Sequence, residues 1–154
     1  MNYKEIKSFD DLKNIAPTGN YRLVCDIDCK NQKISRITGD FKGSLDGAGY
    51  SIKNLVLFEN KIYSDGQPIA LFYTMRRAII KNLNILNMSV EVPNSAYKPN
   101  IAILCTDASD STFENMVVNA KLSSNDKLPL IYDSNNCKYS NIRLSNNIIK
   151  AKFE

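Results

Sequence analysis

Ile80-Lys81-Asn82-Leu83-Asn84-Ile85 decides the fold, because the chain repeats its pattern of apolar-x-Asn-apolar-x-apolar. The same pattern stands at Ile52-Lys53-Asn54-Leu55-Val56-Leu57, Phe113-Glu114-Asn115-Met116-Val117-Val118 and Tyr139-Ser140-Asn141-Ile142-Arg143-Leu144. The recurrence from Asn54 through Asn82 and Asn115 to Asn141 is regular enough to mark a repeat, and its intervals are unequal. A second segment precedes the last three copies, as Ala70-Leu71-Phe72, Ala102-Ile103-Leu104 and Pro129-Leu130-Ile131, each at nearly the same distance before its asparagine. Two features that keep one internal offset mark a stacked architecture, in which no single repeat can bury its apolar face alone.

Geometry within the repeat gives the shape. Side chains alternate faces along a strand with period two. Ile52 and Leu55 are three apart, whereas Leu55 and Leu57 share a face. All three point inward only if one residue breaks the alternation, and asparagine tolerates the left-handed backbone region that does so. The chain is therefore expected to be all-β: a single-domain right-handed parallel β-helix, a solenoid of about five rungs. Stacked rungs would place Asn54, Asn82, Asn115 and Asn141 in one ladder of hydrogen-bonded amides, about 4.8 Å apart. Leu55, Leu83, Met116 and Ile142 would form an aliphatic column beside it, with Lys53, Lys81, Glu114 and Ser140 facing water.

The ends read differently. Residues 1–20 are expected to form a short N-terminal capping helix, with Ser8 and Asp11 as a capping box and Phe9, Leu12 and Ile15 on one face. Pro17 and Gly19 end it, and residues 21–154 form the β-helix domain. At the other end Ile149, Ala151 and Phe153 would point inward and Lys150 and Lys152 outward, the usual defence of an exposed edge. That end also offers a contact for a dimer.

Phe41-Lys42-Gly43-Ser44-Leu45-Asp46-Gly47-Ala48-Gly49-Tyr50-Ser51-Ile52-Lys53-Asn54-Leu55 resembles the GLUG-type repeats, in which F-x-G-x-L-D-G-x-G-x-x-I-x-N-L introduces a β-helical rung. Asn20-Tyr21-Arg22-Leu23-Val24-Cys25-Asp26-Ile27-Asp28 is similar to the lead-in often found before it, and Ala70-Leu71-Phe72 to the family's G-L-F. The likeness covers roughly residues 20–145. It implies the fold and says little about function, since such repeats occur in bacterial surface proteins and protease accessory regions. Unlike secreted members, the chain is expected to have no leader, anchor or further domain, and an adhesin role is not expected.

Composition narrows the chemistry. The 154 residues hold 20 basic and 16 acidic side chains, a net charge of +4, and no histidine. Without histidine there is no Ser-His-Asp or Cys-His arrangement. The mild basicity falls short of a dedicated nucleic-acid binder. With neither a signal peptide nor an apolar run of membrane-spanning length, a cytoplasmic protein is expected, in the host-cell cytoplasm if a phage encodes it. Cys25 and Cys29 sit on one strand about 13 Å apart, too far for a shared zinc or a disulfide. They and Cys105 and Cys137 are expected to be reduced, and no cofactor is implied.

Three groups of residues are candidates for function. Asp107, Asp110 and Asp133 fall near one another on adjacent turns, where they could bind a divalent ion or act as a glycosidase pair; as Asp-Ser-rich loop residues they also suit turns. Arg76 and Arg77 form the sharpest basic spot, interrupted by Glu114. Insertions at 58–68 and 93–100 carry Phe58, Tyr63 and Tyr97 amid polar residues, and loops on a rigid scaffold often carry recognition. The leading expectation is a non-catalytic module that binds another protein, such as a phage- or mobile-element-encoded inhibitor or an immunity protein. The alternative is a carbohydrate-binding or carbohydrate-cleaving domain of a surface or secreted protein.

Overall fold

A computed structural model describes residues 2–124 and 126–154. Among them the chain is mostly β, and each strand pairing is parallel. The path opens with β1 (Lys4–Ile6) and α1 (Phe9–Lys13). It continues through β2 (Asn20–Leu23), β3 (Ile27–Asp28), β4 (Lys33–Ile34) and β5 (Thr38–Phe41). Next come β6 (Ser44–Asp46), β7 (Ser51–Lys53), β8 (Val56–Phe58), β9 (Pro68–Ile69) and β10 (Phe72–Arg76). β11 (Ile79–Glu91), β12 (Asn100–Ile101) and β13 (Cys105–Ser109) follow, then β14 (Thr112–Leu122) and β15 (Leu128–Asn135), and finally β16 (Lys138–Leu144) and β17 (Ile148–Phe153).

These strands form three sheets. The largest runs β1-β2-β6-β11-β14-β16, with β7 and β8 also pairing along the long β11 and β3 and β4 pairing with them. The second runs β17-β15-β13-β10-β5, and β12 pairs with β9 in the third. Parallel neighbours need a long connection between them; α1 joins β1 to β2, and later connections carry further strands, such as β14 between β13 and β15. Apolar residues in register build columns from strand to strand: Tyr21, Leu45, Ile80, Phe113 and Tyr139 in one; Ile27, Ile52, Ile85, Val118 and Leu144 in another. All feed one hydrophobic cluster, in which the Phe41 and Phe72 rings pack at 4.9 Å and Phe113 stacks on Tyr139 at 5.3 Å.

The bends that turn one strand into the next sit at left-handed residues. Asn54, Asn82, Asn115 and Asn141 have φ of 60°, 54°, 53° and 53°, the conformation asparagine tolerates best among residues with a Cβ. Asn141 Nδ2 donates to Asn115 Oδ1 at 3.0 Å, and Asn115 Nδ2 to Asn82 Oδ1 at 3.0 Å. Leu83, Met116 and Ile142 stack beside them in register. Asn54 and Leu55 do not join these columns. Asn54 Nδ2 donates to Asp28 Oδ1 at 3.0 Å, and its own Oδ1 accepts from Asn87 Nδ2 at 2.7 Å. Below Asn82 lies the Asp46 carboxylate, which accepts from it at 3.2 Å. The expected single ladder is therefore two columns at two corners. The true partner of Ile52-Lys53-Asn54-Leu55 is Ile85-Leu86-Asn87-Met88, because Ile52 pairs with Ile85. A third corner repeats the device, with Asn136 Nδ2 bonded to Asp110 Oδ1 at 2.6 Å.

Gly47 shows how tightly the strands approach. A Cβ there would lie 2.4 Å from Asn82 O and 2.6 Å from Leu83 Cα, so only glycine lets the Asp46 corner pass beneath the Asn82 corner.

The N-terminal segment departs from expectation. Residues 1–20 do not form a helix of that extent. α1 is five residues long, with Ser8 Oγ accepting from Asp11 N as its N-cap, and β1 pairs with β2 before it. Ile6, Leu12 and Ile15 belong to the common core.

Two outcomes follow. Asn115→Ala unpairs Asn82 Oδ1 and Asn141 Nδ2 and puts a Cβ-bearing residue without a side-chain partner at φ 53°. It should cost about 2–3 kcal/mol in chemical denaturation, and Asn115→Gly about 1 kcal/mol less, since glycine adopts that φ freely. The second concerns Asp46. Burial raises its carboxyl, but the Ala48 N–H, the Asn82 amide and the Arg22 guanidinium outweigh burial and hold it below the ordinary value. A carboxyl lowered on folding stabilises the fold above the ordinary carboxylate range and loses that contribution as the pH falls through its folded value. Asp46→Asn should thus flatten the acid limb of stability against pH between about pH 5 and pH 2.

Candidate functional site: a ledge beneath two paired loops

The uneven repeat length produces a concave surface. The interval from Asn82 to Asn115 is longer than the one from Asn115 to Asn141. Most of the difference lies between β11 and β12, where residues 92–99 loop outward; only residues 123–127 join β14 to β15. A long loop above a short connection leaves a ledge.

The overhanging loop is held by its neighbour. Residues 59–67 bulge from the preceding pass, and the two loops pair through backbone. Gly66 N–H donates to Lys98 O at 2.8 Å, and Asn100 N–H to Gln67 O at 2.9 Å. Asp65 Oδ1 accepts from Lys98 N–H at 2.8 Å, and Gln67 Oε1 from Tyr63 N–H at 2.7 Å. β9 and β12 continue this pairing. On this braced platform Tyr63 and Tyr97 stand 68% and 49% exposed.

Below the platform runs a cleft of about 480 Å³, bounded by Tyr97, Lys98 and Pro99 above and by Leu122 and Ser124. A second hollow of about 320 Å³ shares Pro99, Ile101 and Leu122 with it and extends to Pro129, Tyr132 and Ile149. Asn94, Ser95, Ser123 and Ser124 make the first hollow mixed, and the second is the more apolar of the two. Lys98, Lys127 and Lys152 line the two hollows against Asp126, giving a positive rim. Within the lining of the first hollow Ser124 Oγ donates to Asp126 Oδ2 at 3.0 Å.

Not all the expected residues meet here. Tyr63 and Tyr97 lie on the paired loops. Phe58 is half-buried at the end of β8, paired with Glu91 and capped by the Lys33 ammonium at 4.5 Å. Arg76 is in register with Ser109 on β13, and Arg77, at φ 51°, forms the β10–β11 corner and lines a separate small cleft with Tyr3 and Lys81. Ile101 and Leu122 were not singled out in the sequence, and Ile149 was read only as an inward residue of the last strand. The signal for them was the shortening of the repeat after Asn115, which says where a ledge forms.

The acidic residues divide. Asp107 and Asp133 pair in register on β13 and β15, and the same column continues to Thr74 and Asp40, whose side chains hydrogen-bond to each other. Asp110 leaves this group, because its carboxylate accepts from Asn136 at the next corner. Among the described residues no three His, Cys, Asp or Glu side chains sit close enough to hold a metal ion.

All four cysteines are free. The expected single strand through Cys25 and Cys29 is broken at residues 24–26, between β2 and β3. Cys25 Sγ donates to Lys7 O and Cys137 Sγ to Asn135 O, each at 3.5 Å. Burial pushes the Cys29 thiol up to about 12 and raises that of Cys105 strongly.

The chain matches no protein-family model, no curated protein and no solved structure. Among the described residues no helix is long and apolar enough to cross a membrane.

Thiol reactivity checks these positions. Iodoacetamide on the native protein at neutral pH should modify Cys25 and Cys137 first, with Cys29 and Cys105 protected until unfolding, as read by mass spectrometry of peptides.

Proposed function

We propose that this chain is a right-handed parallel β-helix of about five rungs, of the GLUG-repeat kind, that works as a non-catalytic protein-binding module. The exclusively parallel pairing among the described strands, with strands returning in chain order within each sheet, supports the fold reading. The F-x-G-x-L-D-G-x-G phrase at residues 41–49 supports the repeat type.

One observation carries the functional reading: two exposed tyrosines, Tyr63 and Tyr97, stand on loops that brace each other through backbone hydrogen bonds above a ledge of mixed polar and apolar residues. Ordering a surface before binding removes part of the entropy cost of association, and tyrosine supplies contact area with few rotatable bonds. An inhibitor or immunity protein that captures its target in the trough fits this surface. Four unpaired cysteines suit a reducing compartment, and we place the protein in the cytoplasm.

A second reading rests on the in-register pair Asp107 and Asp133. Adjacent parallel strands hold Cα atoms about 4.8 Å apart, near the carboxyl separation of about 5–5.5 Å in retaining glycosidases. Both carboxylates are exposed, and neither lines the clefts described above. This counts against a water-excluding sugar site.

Immobilised protein and lysate from the native host separate the two. Tyr97→Ala should release the captured protein by at least tenfold in quantitative mass spectrometry, with an unchanged unfolding midpoint. The double variant Asp107→Ala/Asp133→Ala should capture it as well as the parent does. Loss of polysaccharide binding in the aspartate variant, with no protein lost in the tyrosine variant, would reverse the assignment.

A further inference from the structure

Arg77 is the odd residue of its corner column. The bends that join β10 to β11, β13 to β14 and β15 to β16 lie one above another at Arg77, Asp110 and Asn136, with φ of 51°, 51° and 55°. Asparagine and aspartate suit that left-handed backbone, and here Asn136 Nδ2 also donates to Asp110 Oδ1. Arginine suits it less well. Among the described residues the ion pairs are made by Lys7, Lys13, Arg22, Lys33, Lys53 and Lys150, and Arg77 is not one of them. A residue that strains the backbone and ties nothing points to a role for its side chain.

That side chain lines a cleft of about 150 Å³ together with Lys42 and Lys81. Register explains why the three meet. Asn20, Ser44 and Ile79 are partners across β2, β6 and β11, and all three line the cleft. Lys42 and Arg77 each stand two residues before this row, and Lys81 stands two after it. Ser44 Oγ donates to Asn20 Oδ1 at 2.7 Å, which leaves Asn20 Nδ2 as a donor. Three carboxylates are close in register, and none lines the cleft. Asp46 is paired with Arg22 at 3.3 Å, Asp110 accepts from Asn136, and Glu114 stands beside Lys81 on β14.

We infer that this cleft binds a phosphate monoester group through Lys42, Arg77 and Lys81, with Asn20 Nδ2 as a further donor. Such a group carries a charge of about −1.5 to −2 at neutral pH and three acceptor oxygens. The guanidinium matches two of those oxygens at once, and the lysines act as point charges. The cleft is smaller than the roughly 300–1,000 Å³ of sites that enclose a drug-sized molecule. It takes one phosphoryl group and leaves the carrier of that group outside. A nucleic-acid strand fits less well, since it needs a continuous basic stripe and free rings for stacking. Glu114 interrupts the stripe beside Lys81, and the Arg22 guanidinium covers the Tyr3 ring at 4.1 Å. The cleft shares no lining residue with the ledge beneath Tyr97, so it stands whether or not the protein-binding reading holds.

The test titrates nitrogen-15-labelled protein at constant ionic strength with inorganic phosphate, N-acetylphosphoserine amide, N-acetylserine amide and a single-stranded oligothymidylate. Both phosphate probes should shift the resonances of residues 42–44 and 77–81, and the serine probe should shift none. Tighter binding of the phosphoserine probe assigns a phosphorylated side chain as the ligand; equal or tighter binding of inorganic phosphate assigns the free ion. Arg77→Asn is the deciding variant. It should weaken both phosphate probes at least tenfold while the unfolding midpoint holds or rises, because asparagine takes this backbone more readily than arginine. Lys42→Gln and Lys81→Gln should each weaken the phosphate probes severalfold at the parent's midpoint, and Tyr97→Ala should leave them unchanged. The inference is overturned if neither phosphate probe shifts these resonances, or if the serine probe shifts them equally. Tighter binding of the oligothymidylate than of both phosphate probes, or parent-like phosphate binding by Arg77→Asn, overturns it as well.

Discussion

The left-handed corner, held by an amide that bonds to the corner below it, is the constraint on which the other features depend. A strand can bury successive apolar residues on one side only if its alternation is broken, and the break places a residue at positive φ. Asn82, Asn115 and Asn141 accept that conformation and then use their side chains to tie each corner to the last. Without those ties, apolar columns such as Leu83-Met116-Ile142 could slide by a residue, and a slip of one would turn the inward set outward. The columns rest on carboxylates, Asp46, Asp28 and Asp110, each of which accepts from the first amide above it. Direction is thus built in: donors face the carboxylate end and acceptors face the open one.

Because the corners fix the strands, length variation is confined to the connections between them. The extra residues between β11 and β12 leave the register of β11 with β14 intact apart from one irregularity between Ile85 and Met88, and emerge as a loop. The loop before it emerges at the neighbouring position, and the two pair with each other. The exposed tyrosines and the ledge beneath them are consequences of a rigid repeat carrying unequal insertions, which is why the functional reading rests there. The same logic gives the two ends their contrast. β1 and α1 close one end, and nothing among the described residues closes the other.

Much of this was legible in the residues. The Asn82, Asn115 and Asn141 corners, the Leu83-Met116-Ile142 column and the proximity of Asp107 to Asp133 follow from repeat spacing alone. Asn54 was misplaced for a physical reason. Two corners along β11, at Asn82 and Asn87, take the same left-handed backbone, so apolar-x-Asn-apolar occurs twice within one pass and not once per repeat. Ile52-Lys53-Asn54-Leu55 matches Ile80-Lys81-Asn82-Leu83 as a phrase, while in space it lies against Ile85-Leu86-Asn87-Met88. The true occupant below Asn82 is Asp46, whose carboxylate does the work of an amide without resembling one in sequence. The N-terminal segment misled through its cap. Ser8 and Asp11 do cap a helix, but pairing of β1 with β2 claims the residues before it and leaves α1 five long. The ledge was out of reach of residue patterns, because it is made by what one repeat lacks relative to its neighbour.

The most direct measurement is a nuclear Overhauser map of the side-chain amides and strand backbones. The account predicts contacts linking Asn82 to Asn115 and Asn115 to Asn141, a separate contact of Asn54 with Asn87, and the amide-to-Hα pattern of parallel strands between Phe113 and Tyr139. Strong Hα-to-Hα contacts between those strands, or a contact of Asn54 with Asn82 in place of Asn87, would contradict it.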